Sequence, residues 1–183
     1  MRRTLIILAA LATTLAGGVP LAQAQYGTQH PQAGDKVVGG HIGFVLPLVT
    51  HAAGQTINNT ADQFSIGFPT GITVKGSGRM AFDFEFIPFI NTAKPRQTSL
   101  TLHPGLLWDV GHGFAVGNRL AYDINAASWG FTPLLHKNFF FKGENSFFKA
   151  YFVEADLPVR FQRPVGGPSA NAVTFAVHAG LAF

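Results

Sequence analysis

Three observations predict an all-β chain that closes as an eight-stranded antiparallel up-and-down transmembrane β-barrel. Side chains of a strand alternate faces with a period of two. In the last stretch this puts Val173, Phe175, Val177, Ala179, Leu181 and Phe183 on one face and Thr174, Ala176, His178, Gly180 and Ala182 on the other. Seven earlier segments show the same period, with lengths of about ten to fourteen residues that suit tilted strands crossing a hydrocarbon core. Short turns alternate with mostly longer loops, the asymmetry expected of barrels with one end in each compartment.

The 183 residues suit one domain preceded by an export signal. Met1-Arg2-Arg3 is a positive start, Leu5 to Leu15 an apolar core, and Ala22-Gln23-Ala24 a small-residue cleavage site, together a secretory signal over residues 1–24. Residues 25–35, polar with Gly, Pro and His, read as a flexible lead, and 36–183 as the barrel. Without Arg2 and Arg3, 11 basic side chains face 9 acidic ones, too even a balance for nucleic acid. The chain has no cysteine, which excludes disulfides and a lipid-modified cysteine. No later run of apolar residues is long enough for a membrane helix. The 18 Phe are more than a soluble domain of this size readily buries.

The first strand is expected over 36–49, with His41, Gly43, Val45, Pro47 and Val49 on one face, followed by a polar loop over 51–61. A second strand over 62–75 sets Phe64, Ile66, Phe68, Ile72 and Val74 against Gln63, Ser65, Gly67, Gly71 and Lys75. Gly76-Ser77-Gly78 turns the chain. In Met80–Phe86 three phenylalanines alternate with Asp83 and Glu85, a separation that no helix achieves. A loop is expected over 88–97.

Strand four, 98–109, opposes Leu100, Leu102, Leu106 and Trp108 to Ser99, Thr101, His103 and Asp109. Strand five, 114–125, opposes Leu120 and Tyr122 to Arg119 and Asp123, and strand six, 129–141, turns Trp129, Phe131, Leu135, Phe139 and Phe141 away from Thr132, His136 and Asn138. Strand seven, 147–161, places Glu154, Asp156 and Arg160 together before a Pro- and Gly-rich loop over 162–170. Outward aromatics collect near both strand ends, as in the two girdles of membrane barrels. Lys137 and Lys149 fall on the outward face near strand ends, where a long ammonium side chain snorkels.

The inward sets contain Lys75, Arg79, Arg119 and Arg160 with Asp83, Glu85, Asp109, Asp123, Glu154 and Asp156, joined by His41, His103, His136 and His178. Eight strands leave an interior just wide enough for side chains to fill, so these charges are expected to interlock as an ion-paired plug rather than line a channel. A narrow proton or ion path through the same residues is the functional alternative. Two carboxylates two apart on a strand lie about 6–7 Å from each other and need a substrate pocket between them for acid–base catalysis. A Thr174 or Ser99 nucleophile with a nearby His and Asp is conceivable, but no nucleophile motif stands out. No catalytic or metal site and no cofactor are therefore assigned. His41 and His178 are expected to approach each other across the closing seam, which by itself is weak support for a metal.

The alternating final strand ending in Phe183 resembles the C-terminal signature of Gram-negative outer-membrane barrels, in which Phe175, Val177, Leu181 and Phe183 would be read by the insertion machinery. With the eight alternating segments and the inward charges, the chain resembles the small barrel proteins of the OmpA membrane-domain and OmpX type. The resemblance implies a monomer in the outer membrane with both termini periplasmic and a structural or loop-mediated interaction role. Its partners would be membrane lipid, with lipopolysaccharide phosphates met by Lys94, Arg96 and Arg163 in the outer loops. A conduit for small or hydrophobic solutes, a lipid-modifying enzyme and a secreted soluble sandwich, which would bury Phe82, Phe84 and Phe86 in protein, are the competing readings.

Overall fold

A computed structural model describes residues 37–59, 61–76, 78–92, 97–126, 128–142, 147–162 and 170–183. The signal and lead expected over 1–35 lie outside them, as do Lys94, Arg96 and Arg163. Eleven β-strands and no helix make up the described chain: β1 Val37–Ala52, β2 Gln55–Asn58, β3 Ser65–Gly67, β4 Thr70–Lys75, β5 Met80–Asn91, β6 Gln97–Gly111, β7 Phe114–Asp123, β8 Ser128–Phe140, β9 Ala150–Asp156, β10 Val159–Gln162 and β11 Ala170–Ala182. They form eight staves, because β2, β3 and β4 pair in turn along β1 as one interrupted stave, and β9 with β10 form another. Every pairing is antiparallel, and β1 meets β11, so the sheet closes as the predicted eight-stranded barrel.

The breaks coincide with prolines. Pro69 interrupts the second stave opposite Pro88 of β5, where the amide of Phe68 donates to the Pro88 carbonyl at 3.0 Å. Pro158 interrupts the seventh opposite Pro133 of β8, where the amide of Leu157 donates to the Pro133 carbonyl at 3.0 Å. A proline cannot donate to a ladder, and placing the break of one stave against a proline of its neighbour leaves few amides stranded. For the same reason the loop expected over 88–97 is corrected. Pro88 stays inside β5, which runs on to Asn91, because its missing donor falls where the adjacent stave is already open.

Two further expectations change at the start of the barrel. Between Pro47 and Val49 the β1–β11 register slips by one residue. This bulge reverses the facing of the residues beyond it, so Val49 turns outward and Thr50 inward, where its hydroxyl meets that of Thr174 at 2.9 Å. The polar loop expected over 51–61 is in part a hairpin: β1 continues to Ala52 and pairs with β2 through Ala53-Gly54, both at positive φ. Such turns usually carry Asn-Gly or Asp-Gly, and Ala53 conceals the signal.

Charged and polar residues face the interior on the other staves, and large apolar residues face out. Asp83, Glu85, Thr101, His103, Arg119, Thr132, Glu154 and His178 are buried, whereas Phe82, Leu106, Leu120, Trp129, Val153 and Phe175 are exposed. The apolar part of the interior is small, with Val45, Ile87 and Ala176 packed together against Phe89. The last residue is tied down, since the amides and carbonyls of Phe183 and Gly40 exchange two hydrogen bonds of 2.9 Å, and the Phe183 ring stacks on Phe147.

At the seam Gly43 lies opposite Gly180. A Cβ on Gly180 would sit 2.2 Å from the Ile42 carbonyl oxygen and one on Gly43 2.3 Å from that of Ala179, so the two backbones approach more closely than any side chain permits. Gly180→Ala is expected to destabilise the barrel by about 1–3 kcal/mol. In denaturant unfolding of the purified protein the midpoint should fall; an unchanged midpoint would show that the seam relaxes freely.

Candidate functional site

The interior is organised by one arginine. Arg119 projects inward from β7 opposite Gly105 of β6, where a Cβ would come within 2.5 Å of the Arg119 Cγ. The glycine leaves room for the arginine stem to lie flat against the sheet. Its guanidinium then reaches three carboxylates. Nε donates to Asp83 at 2.8 Å, one terminal nitrogen to Glu154 at 2.5 Å, and the other lies 3.3 Å from Glu154 and 3.4 Å from Glu85. Arg119 and all three acids are almost wholly buried.

Each glutamate is flanked by two histidines. Glu85 accepts from His41 Nε2 at 2.8 Å and from His103 Nδ1 at 3.0 Å. Glu154 accepts from His136 Nδ1 at 2.9 Å and from His178 Nδ1 at 3.3 Å. An ionised carboxylate only accepts, so these four ring nitrogens carry the hydrogens. Thr73 donates to Asp83 at 2.6 Å, and Thr132 meets His103 Nε2 at 2.9 Å. A single connected network thus takes a side chain from each of the eight staves: His41, Thr73, Asp83 with Glu85, His103, Arg119, Thr132 with His136, Glu154 and His178.

The other inward charges pair at the two ends, and the Arg160 pair also bonds into the network. Lys75 meets Asp109 at 3.1 Å at the end of the short turns. At the opposite end Arg160 lies 3.5 Å from Asp123, which also accepts from Ser128 at 2.5 Å and from Thr101. Arg160 additionally donates to Thr132 at 3.1 Å. With Arg160 donating into the Thr132 oxygen, the hydroxyl hydrogen points to His103 Nε2, and His103 in turn donates to Glu85. The hydrogen bonds from Arg160 to Glu85 therefore all run in one direction. Arg79 is exposed at the mouth of the turn end.

Asp156 meets the Glu154 carboxyl through a side-chain hydrogen bond. It is buried on the same face of β9 as Glu154, and its Oδ1 has no hydrogen-bond partner among the described residues; neither has Nε2 of His178. His41 and His178 do approach, with ring centroids 6.3 Å apart. The hydroxyl of Thr174, a conceivable nucleophile by sequence, is held by Thr50.

Sequence reasoning missed Phe152. Its ring packs edge-on against His178 and His41 at 4.9 and 5.8 Å and stacks on His136 at 5.0 Å. It also fills the space beside Gly180, where a Cβ would meet it at 2.8 Å. The alternation that places Glu154 and Asp156 inward also places Phe152 inward, so the signal was present but masked by the many outward phenylalanines. At the turn end a cavity of about 230 Å³ enters the barrel between Thr73, Leu107, Phe140 and Phe183 and reaches His41, Asp83, Arg119 and His136 of the network.

Removing Arg119 would leave three buried carboxylates uncompensated, a change that costs about 3–5 kcal/mol when one partner of a buried pair is lost. Arg119→Ala should lower the denaturant midpoint accordingly, and adding Asp83→Asn to it should recover part of the loss. No recovery in the double variant would mean that Asp83 is not held by the guanidinium.

Searches against protein-family models, curated proteins and solved structures find no match to this chain, so the functional reading rests on the geometry of the barrel and its interior.

Proposed function

We propose that this chain is an integral outer-membrane barrel whose interior is closed by its own charged side chains, and that it serves the envelope as a structural element and through its loops. The observation that carries the reading is the inversion of polarity. Large apolar side chains stand exposed on every stave, among them Ile42, Ile72, Phe82, Leu106, Leu120, Leu135, Val153 and Phe175, while the interior is ionic. Soluble monomers rarely expose contiguous apolar patches above a few hundred Å². A belt running round the whole barrel suits lipid as its solvent.

Exposed aromatics at both ends support the same reading. Trp108, Phe114, Phe139, Phe141 and Phe147 lie at the turn end and Phe64, Tyr122 and Trp129 at the other, as expected where ring edges meet headgroups; Phe86, with β5 running on to Asn91, lies in mid-strand instead. Lys137 lies on the outer face, but its ammonium group bonds the carbonyl of His112 in the turn and sits 4.0 Å from the Phe114 ring centre, a snorkelling arrangement. In this reading Phe175, Val177, Leu181 and Phe183 serve insertion, and Lys94, Arg96 and Arg163 meet lipopolysaccharide phosphates.

Closure of the interior is supported by the network, which joins all eight staves and forms the inner limit of the turn-end cavity. The one-way hydrogen bonds starting from Arg160 also disfavour a proton path, because a guanidinium donates and does not accept. The conduit therefore ranks below the closed barrel.

The expressed chain should fractionate with outer membranes and migrate differently on gels before and after boiling, as folded barrels do. Recovery in a soluble fraction without that shift would overturn the membrane reading. Leu120→Arg, on the outer face beside Arg119, should cost about 2–4 kcal/mol in lipid vesicles if it lies near mid-membrane. In planar bilayers the purified protein should show no unitary conductance steps; regular steps would refute the closed interior while leaving the membrane reading intact.

A further inference from the structure

We infer that Glu154, Asp156 and His178 form a binding site for one divalent transition-metal ion. Glu154 and Asp156 lie two apart on the inward face of β9, and His178 of β11 is directly opposite Glu154 in the sheet register. Each residue offers one ligand atom, and the three atoms lie within 4.8 Å of one another. Around a zinc ion with ligands at 2.0–2.2 Å, tetrahedral neighbours stand about 3.4 Å apart, so the three atoms close in on the ion and Glu154 exchanges its hydrogen bond from His178 for it.

The independent observation is the pair of orphaned atoms. Asp156 is 4 % exposed and His178 1 % exposed, yet Asp156 Oδ1 and His178 Nε2 have no hydrogen-bond partner among the described residues. Buried polar atoms are seldom left so, and a bound ion is one of the standard reasons. The charge count points the same way. Arg119 is already shared by Asp83, Glu85 and Glu154, and the Arg160 guanidinium is engaged with Asp123 and Thr132. Asp156 meets the Glu154 carboxyl through a side-chain hydrogen bond, so two buried acids face each other with a proton between them, and neither guanidinium is bonded to Asp156. A divalent ion held by a neutral imidazole and two carboxylates would supply that charge, and the nitrogen–oxygen donor set suits zinc and its neighbours rather than calcium.

The second cluster of the interior, His41 with Asp83 and Glu85, does not share this character. No buried atom of these three side chains lacks a hydrogen-bond partner among the described residues, as Asp156 Oδ1 and His178 Nε2 do. The site at Glu154 depends only on the barrel interior and not on what solvates the outer face. Its test is therefore separate from that of the membrane reading.

The full chain without an affinity tag, refolded in detergent with Zn²⁺ and then desalted, should retain about one equivalent of zinc, measured by elemental analysis. Refolding with Co²⁺ should give visible d–d absorption bands of an oxygen–nitrogen site. Asp156→Asn and His178→Gln should each reduce retained metal by about tenfold or more, whereas His112→Gln in the exposed turn should retain it. No retained zinc and no cobalt bands in the unaltered protein would overturn the site, whatever the variants do. Retention in Asp156→Asn equal to that of the parent would overturn it as well.

Discussion

The guanidinium of Arg119 is the constraint on which the interior depends. Three carboxylates from two staves converge on it, and the four histidines are held in turn by two of those carboxylates. A carboxylate buried without a cation would be driven back to water or to protonation. Planar and always charged, arginine can serve several acceptors at fixed angles, which an ammonium group cannot do as well. The backbone is shaped to admit it: Gly105 lies beneath its stem, and Gly71 leaves space beside His41, whose ring would otherwise be 2.3 Å from a Cβ. Small residues on β4 and β6 are therefore as much a part of the ionic centre as the charges themselves.

That arrangement explains why the chain combines many phenylalanines with a polar middle. In a water-soluble sandwich the aromatics would be the core and the charges the surface. Here the buried side chains are largely Asp, Glu, Arg, His and Thr, with an apolar patch at Val45, Ile87 and Ala176 and with Leu134 and Phe152 among the polar groups. Cohesion of the interior comes from directional bonds, which fix one geometry where apolar contacts would tolerate several.

Alternation made most of the fold legible in the sequence. Asp83 and Glu85 between phenylalanines, and Glu154 and Asp156 alternating with Val153 and Ala155, could only be separated from those neighbours by a strand, and all four point inward. The ion pairs were not legible, because partners depend on how far each strand is staggered against the next. Nothing local in Arg119 selects Asp83, Glu85 and Glu154. The bulge after Pro47 was hidden as well, since Pro47, Leu48 and Val49 are all apolar and either phase reads well. Pro88 misled in a different way. It breaks a strand only when a neighbour needs its hydrogen, and the neighbouring stave opens at Pro69.

The meeting of β1 with β11 has a consequence for how the molecule is made. Residue 41 pairs with residue 182, so the seam joins the earliest and latest parts of the barrel and carries the longest loop entropy of any pairing in the fold. His41 and His178, brought together at that seam, reach the network only when the cylinder shuts. Until then the carboxylates they serve are open to water. Shutting the cylinder and drying its charges are thus one event, and an incomplete chain lacking β11 would have neither edge protection nor a finished interior.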